Sequence, residues 1–184
     1  MRTFADEQPE KRVTIRFDEQ VVIVTGAGNG LGRSHALEFG RRGARVVVND
    51  LGSARDGSGA SSDSAAAVAA EIRETGGEAV ANGANVADYP QVQAMVADAL
   101  DRWGRVDVLV NNAGILRDKT FAKMELADFE LVMDVHLQGS VNCTKAVWSP
   151  MCDRQFGRIV MTSSSSGIYG NFGQSNYAAA KMGL

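Results

Sequence analysis

The sequence has no apolar run of membrane-spanning length, no extended basic stretch and only two cysteines, Cys143 and Cys152. Each absence removes a class of protein. A transmembrane helix needs roughly 20 consecutive apolar residues, and none occurs. The N-terminal MRTFADEQPEKR mixes charges of both signs around no apolar segment, so it does not resemble a secretory signal, and a cytoplasmic location follows as the expectation. Lys and Arg number 19 against 22 Asp and Glu, for a net charge of -3 and a pI near 5.4, which argues against nucleic acid or an anionic membrane surface as partner. Two cysteines in helical-looking sequence are expected to be reduced structural thiols rather than a disulfide or a metal site, and no metal is assigned. Small soluble ligands remain.

With 184 residues, 45% of them hydrophobic, the chain can bury one substantial core and is short for two domains. A polar, partly disordered leader is expected over residues 1–20, followed by a single domain over 21–184. Within that domain strand-like runs at Val21–Thr25, Arg45–Asp50, Ala79–Asn82, Val106–Asn111 and Arg158–Thr162 alternate with helical patterns. The helices fall near Gly30–Arg42, Asp63–Thr75, Tyr89–Trp103 and Ala127–Arg154. Such alternation requires crossovers, hence an α/β fold: a doubly wound parallel sheet of Rossmann type in three α/β/α layers. Asp88 is placed to cap the third helix, Gly43 to end the first and Gly76-Gly77 to stop the second. The Gly- and Ser-rich stretch Gly52–Ser62 has the composition of a mobile surface linker.

The run VVIVTGAGNGLG, Val21 to Gly32, sends an apolar strand straight into a turn with almost no side chains. Glycine permits the reversal and a close approach, and the helix that follows aims free N–H groups and its positive dipole end at a pyrophosphate. The order of Gly26, Gly28, Gly30 and Gly32 is not plain G-x-G-x-x-G. Gly26, Asn29, Gly30, Leu31 and Gly32 are the expected cofactor-binding residues of this turn. Asp50, at the end of the second strand, suits the acid that accepts hydrogen bonds from the adenosine ribose and repels a 2′-phosphate, favouring NAD over NADP, although Arg55 could offset that repulsion. Asn85 and Val86 after the third strand are placed to meet the adenine, and Asn112, Ala113 and Gly114 after the fourth complete the set.

Tyr177 and Lys181 in YAAAK project from one helical face, one turn apart. A surface helix often carries such a pair, but here it has company. A phenol is a poor proton-transfer group at neutral pH until a nearby ammonium favours its phenolate, and Lys181 could also hold a ribose hydroxyl. Thirteen residues upstream, in a serine run at a strand end, Ser164 offers a hydroxyl to a substrate carbonyl or alcohol. Tyr169 has only Gly173 four residues on and makes no such pair, and His35 has no role.

Thr25-Gly26-Gly30-Gly32, Asn111 to Gly114 and Ser164-Tyr177-Lys181 together resemble the short-chain dehydrogenase/reductase pattern of TGxxxGxG, NNAG and Ser with YxxxK, from Val21 to the last residue. The resemblance implies a nicotinamide-dependent enzyme in which Tyr177 is the general acid/base, Lys181 lowers its pKa and binds the nicotinamide ribose, and Ser164 positions the reacting oxygen. VVVNDLG (46–52), NNAGILRD (111–118) and MTSSSSGIYGNFGQSNYAAAK (161–181) are similar to the 3-hydroxyacyl-CoA dehydrogenase part of multifunctional β-oxidation enzymes. That likeness implies NAD-dependent oxidation of a (3R)-hydroxyacyl-CoA to the 3-oxoacyl-CoA, with 3-oxoacyl-carrier-protein reductases and hydroxysteroid dehydrogenases as alternatives and a homo-oligomeric parent protein. His136 stands where many members carry a relay asparagine, and it is either a proton relay or a packed helix histidine. Leu184 lies three residues beyond Lys181, where members continue, so a C-terminally truncated domain is expected, and with it the rival reading of a catalytically silent nucleotide-binding module.

Overall fold

The computed structural model describes residues 15–59, 61 and 63–184. Five strands, β1 (Val21–Thr25), β2 (Arg45–Asn49), β3 (Glu78–Asn82), β4 (Val108–Asn111) and β5 (Arg158–Met161), form one wholly parallel sheet in the order β3-β2-β1-β4-β5. The order reverses between β1 and β4, and the crevice at that switch point is where an open α/β sheet takes its ligand.

Strand alternation sends successive valines to opposite layers. Val22, Val24, Val46, Val48, Val108 and Val110 pack under α1 (Gly30–Arg41) and α2 (Asp63–Glu74), through Ala36, Val68, Ala69 and Ile72. Val21, Ile23, Val47 and Leu109 face α3 (Tyr89–Trp103) and α5 (Gly139–Asp153), meeting Val92, Met95, Val96, Cys143 and Val147. Each fully buried valine contributes about 2 kcal/mol of transfer free energy, so these two layers hold the sheet. At the opposite end from the crevice, the wholly buried Asp107 accepts Val21 N–H at 2.8 Å and is gripped by both arms of Arg105.

The sheet and layers are those expected; most ends shift by one or two residues, as fraying ends do. Asp50 and Thr162 lie just past their strands, β3 starts at Glu78, and β4 starts at Val108 although Asp107 N–H already bonds Val21 O. Asp88 caps α3, accepting from Gln91 N–H at 3.2 Å, while Gly43 and Gly76 follow α1 and α2 with φ of 94° and 84°.

Two expectations are corrected. The helix expected over Ala127–Arg154 is α4 (Leu126–Met133), a π-helical segment (Asp134–Gln138) and α5, in continuous helical backbone. The Ser140 hydroxyl takes the His136 carbonyl at 2.6 Å, a side chain inserted into the main-chain ladder, where such widening occurs. The stretch 52–62, expected as a mobile linker, is folded where it is described. Ala54 and Ser58 close a turn, Ser61 N–H bonds Leu51 O, and Leu116 N–H bonds Arg55 O at 2.9 Å. Residues 60 and 62 lie outside the described residues. So does most of the leader, residues 1–14, but the part that is described packs: Phe17 lies edge-on to Phe39 at 4.9 Å and its N–H bonds Arg42 O.

The serine and glycine punctuation of 163–174 hides one short helix, α6 (Ser165–Tyr169), and is followed by α7 (Ser175–Gly183), the helix that the spacing of Tyr177 and Lys181 implied. Among the described residues no helix is long and apolar enough to cross a membrane.

Candidate active site

A cavity of about 610 Å³ opens over the carboxyl ends of β1, β2, β3 and β4. Nine of the thirteen expected cofactor residues line it: Gly26, Asn29, Gly30, Asp50, Asn85, Val86, Asn112, Ala113 and Gly114. Leu31, largely exposed, and Gly32, buried, do not, nor do Tyr177 and Lys181.

Its floor is a clip between β1 and β4. The Thr25 hydroxyl donates to Val110 O and accepts the N–H groups of Asn112 and Ala113 at 3.0 and 3.1 Å. The Asn112 amide returns bonds to the carbonyls of Thr25 and Gly26 at 2.9 and 3.1 Å, so this side chain organises the crevice. Close approach makes glycine necessary here. A Cβ on Gly32 would stand 2.1 Å from Gly26 O, and one on Gly26 would stand 2.7 Å from Ala113 Cα. Gly30 differs, since its φ is 55° and a Cβ would meet nothing within 4 Å. At this end of α1 no side chain caps the helix from Asn29 and the first turn has no acidic residue. The N–H groups and positive dipole end thus face the cavity, and the cradle fits the pyrophosphate of a dinucleotide.

Asp50 accepts Gly28 N–H through one oxygen and Gly52 N–H through the other, both at 2.7 Å, which ties the glycine turn to the loop after β2. The Ser64 hydroxyl, without a hydrogen-bond partner among the described residues, is packed beside Gly28. Asn85 uses its side chain locally, accepting Ala87 N–H, and the Val86 carbonyl is held by the buried Asn142 amide at 2.9 Å.

Beside the cavity lies the tyrosine–lysine cluster. Lys181, only 4% exposed, donates to Thr162 O, and its Nζ sits 5.6 Å from the centre of the Tyr177 ring. Burial draws its ammonium down to about 8, so it is charged at neutral pH and discharges in the mildly alkaline range. Ser163 bonds the Lys181 carbonyl at 2.8 Å, fastening α7 to the end of β5. Ser164 is half-buried at the start of α6, where its hydroxyl accepts Ser166 N–H at 3.2 Å. His136 is 3% exposed, with its ring 5.2 Å from and perpendicular to that of Tyr177. Its Nε2 lies 3.0 Å from Ile115 N and 2.8 Å from Ile115 O, its Nδ1 has no partner, and a Cβ on Gly114 would meet Cε1 at 2.3 Å. Burial, with the Lys181 charge adding, holds the imidazole down at about 4 against the pull of its bond to Ile115. The ring is therefore neutral at physiological pH and spans the π segment and the strand-end turn.

Sequence reasoning passed over two residues. Asn176 is wholly buried and donates to the carbonyls of Arg117 (3.1 Å) and Asp128, fixing the turn of α7 that bears Tyr177. Arg117 reaches Asp128 and the Asp56 carbonyl. Both sit inside quoted motifs, but their partners are mostly backbone oxygens, which no spacing rule marks.

A fold and a crevice of this kind define a dinucleotide-binding domain of the doubly wound class. The family model described as short chain dehydrogenase matches residues 20–184, and the chain belongs to that family. It is 54% identical over 173 residues to the peroxisomal multifunctional enzyme type 2 of Mus musculus, covering 92% of this chain and 23% of the mouse protein. Among solved structures it resembles a short chain dehydrogenase from Mycobacterium avium, with 48% identity and a TM-score of 0.81 over 91% of this chain and 60% of that one. A 7α-hydroxysteroid dehydrogenase complexed with NADH and 7-oxo glycochenodeoxycholic acid superposes with a TM-score of 0.82 at 31% identity, over 91% of this chain and 62% of that one. The chain thus spans under two thirds of the length of each of these relatives.

Proposed function

We propose that the chain forms the NAD-binding and proton-transfer part of a dehydrogenase that oxidises a secondary alcohol to a ketone, with a (3R)-hydroxyacyl-CoA as substrate and the 3-oxoacyl-CoA as product. The observation that carries this reading is the cavity bounded by an uncapped helix end and Asp50, with the Tyr177–Lys181 pair on the helix beside it. The cofactor preference rests on Asp50, whose charge at the cavity wall repels a 2′-phosphate, while Arg55 on the same wall is the residue that would favour NADP. The substrate class rests on likeness to the mouse multifunctional enzyme and on the motifs around the site, with NADH in the complexed steroid dehydrogenase as a parallel for the cofactor.

Bound NAD supplies the hydride acceptor for the carbinol carbon. Tyr177 Oη accepts the hydroxyl proton, and Lys181, positively charged below about pH 8, favours the phenolate that must form. Ser164 Oγ accepts Ser166 N–H at the start of α6 and keeps its O–H to donate to the reacting oxygen. Neutral His136 keeps one ring N–H, its Nε2 facing the Ile115 backbone and its ring standing perpendicular to that of Tyr177.

Calorimetric titration of the 184-residue chain with NAD and NADP tests the cofactor, and a (3R)-hydroxyacyl-CoA assay tests the chemistry. Saturable binding that prefers NAD is expected, and Tyr177→Phe is expected to lower turnover by about 100-fold or more while keeping NAD affinity. Equal turnover in the two proteins would remove Tyr177 from the mechanism. Binding without turnover on any alcohol would favour the silent module.

A further inference from the structure

Residues 114–119 run past the cavity, and almost every one of them holds a different element. Gly114 lies against His136, Ile115 N–H meets His136 Nε2, and Leu116 N–H bonds Arg55 O in the loop after β2. The Asp118 carboxylate accepts from Gln174, just before α7, and Lys119 N–H bonds Gly173 O at 2.9 Å. Arg117 alone joins three elements. Its Nε donates to the Asp56 carbonyl in the loop after β2, its Nη1 donates to Asp128 of α4 at 3.0 Å, and its own carbonyl accepts from Asn176 beside Tyr177. Asp128 is mostly buried, and Lys119 lies farther from it at 3.6 Å, so Arg117 is its closer cation.

The loop so held is the outer wall of the cavity: Leu51, Ser53, Ala54, Arg55 and Gly57 line it, and Gly57 rests on Ile115. We infer that Arg117 is a positioning residue for the cofactor, its side chain fastening the wall loop to α4, while its main-chain carbonyl is held by Asn176 on the helix that bears Tyr177. The inference rests on the cofactor reading of the cavity. The planar guanidinium is what the place requires, because two donors must point at once to a loop carbonyl and a helix carboxylate, and an ammonium on a flexible stem cannot serve both in fixed geometry. A wall loop that is ordered before binding spares the cofactor the cost of ordering it.

The test uses Arg117→Ala, Arg117→Lys and Asp128→Asn in the 184-residue chain, read by NADH fluorescence titration, thermal melting and amide exchange over residues 53–58. Arg117→Ala is expected to weaken NADH binding about tenfold and to raise exchange over 53–58 in the free protein. In turnover it is expected to raise KM for NAD with kcat kept within about threefold, a split that general loss of structure does not give. Arg117→Lys is expected to regain the melting temperature through Asp128 but to leave exchange of the loop raised. Wild-type affinity and wild-type exchange in folded Arg117→Ala would overturn the inference; should that variant not fold, the same result in Arg117→Lys would overturn it. Failure of the unaltered chain to bind NADH would instead overturn the reading of the cavity, and the exchange comparison would still decide whether Arg117 holds the loop.

Discussion

Burial that holds the His136 imidazole at about 4, against an ordinary value of 6.5, links this residue to stability as well as to the site. Between those two values the unfolded chain binds a proton that the folded chain refuses, so folding stability is whole above about pH 6.5 and falls as the pH drops towards 4. A shift of this size corresponds to about 3 kcal/mol lost over that window. His136→Asn keeps an amide that can bond the Ile115 backbone and removes the titration. Urea unfolding at pH 7 and pH 4.5 should show the variant losing less stability than the parent across that interval. Parallel losses would place the acid sensitivity elsewhere. His136 was legible as a position, from the resemblance, but its neutral state was not: it comes from burial of the ring, with the Lys181 charge adding and the bond to Ile115 opposing, none of which a spacing rule shows. Tyr177, Lys181 and Ser164 were legible as positions, because spacing along one helix and at one strand end is visible in the sequence; the chemistry proposed for them rests on that spacing. Arg117 and Asn176 were not, because backbone carbonyls look alike at every position.

At the scale of the element, the strand-to-helix turn assigns different work to neighbouring glycines. Gly32 is a packing glycine: alanine there would drive a methyl to 2.1 Å from the Gly26 carbonyl, in backbone that cannot yield cheaply. Gly30 is a conformational glycine facing open space, with φ of 55°. Gly32→Ala is expected to destabilise the fold by about 3 kcal/mol or more. Gly30→Ala is expected to cost about 1 kcal/mol in stability while placing a methyl where the pyrophosphate would lie, so that NADH affinity falls by more than about tenfold. Thermal melts and NADH titrations of the two variants separate these effects, and similar melting temperatures for both would contradict the division. The motif shows that four glycines stand here; only the fold shows which of them touches protein. The loop after β2 teaches the converse, since its Gly- and Ser-rich composition described its entropy well but not the partners, at Leu116 and Arg117, that order it.

For the whole molecule, the fold class was legible because alternating strands and helices call for a parallel sheet with right-handed crossovers, while the strand order is seen only in the structure. What composition could not show is where that sheet stops being covered. One row of residues crosses it in register: Val48, Val24, Val110 and Val160 on β2, β1, β4 and β5. The first three are at most 3% exposed and Val160 is 47% exposed, because α1 and α2 do not reach β5. Among the described strands β5 pairs on one side only, with β4, and Met161 on the same strand is 37% exposed. An uncovered parallel edge bearing exposed apolar residues is a template for another chain. The 184-residue chain is therefore expected to self-associate with rising concentration. Val160→Lys, which places an ammonium on the bare face of that edge where little packing is lost, should hold the protein monomeric over the same range. Sedimentation velocity at several concentrations reads both; a monomeric parent chain, or association unchanged by the lysine, would show that this edge is not where copies meet.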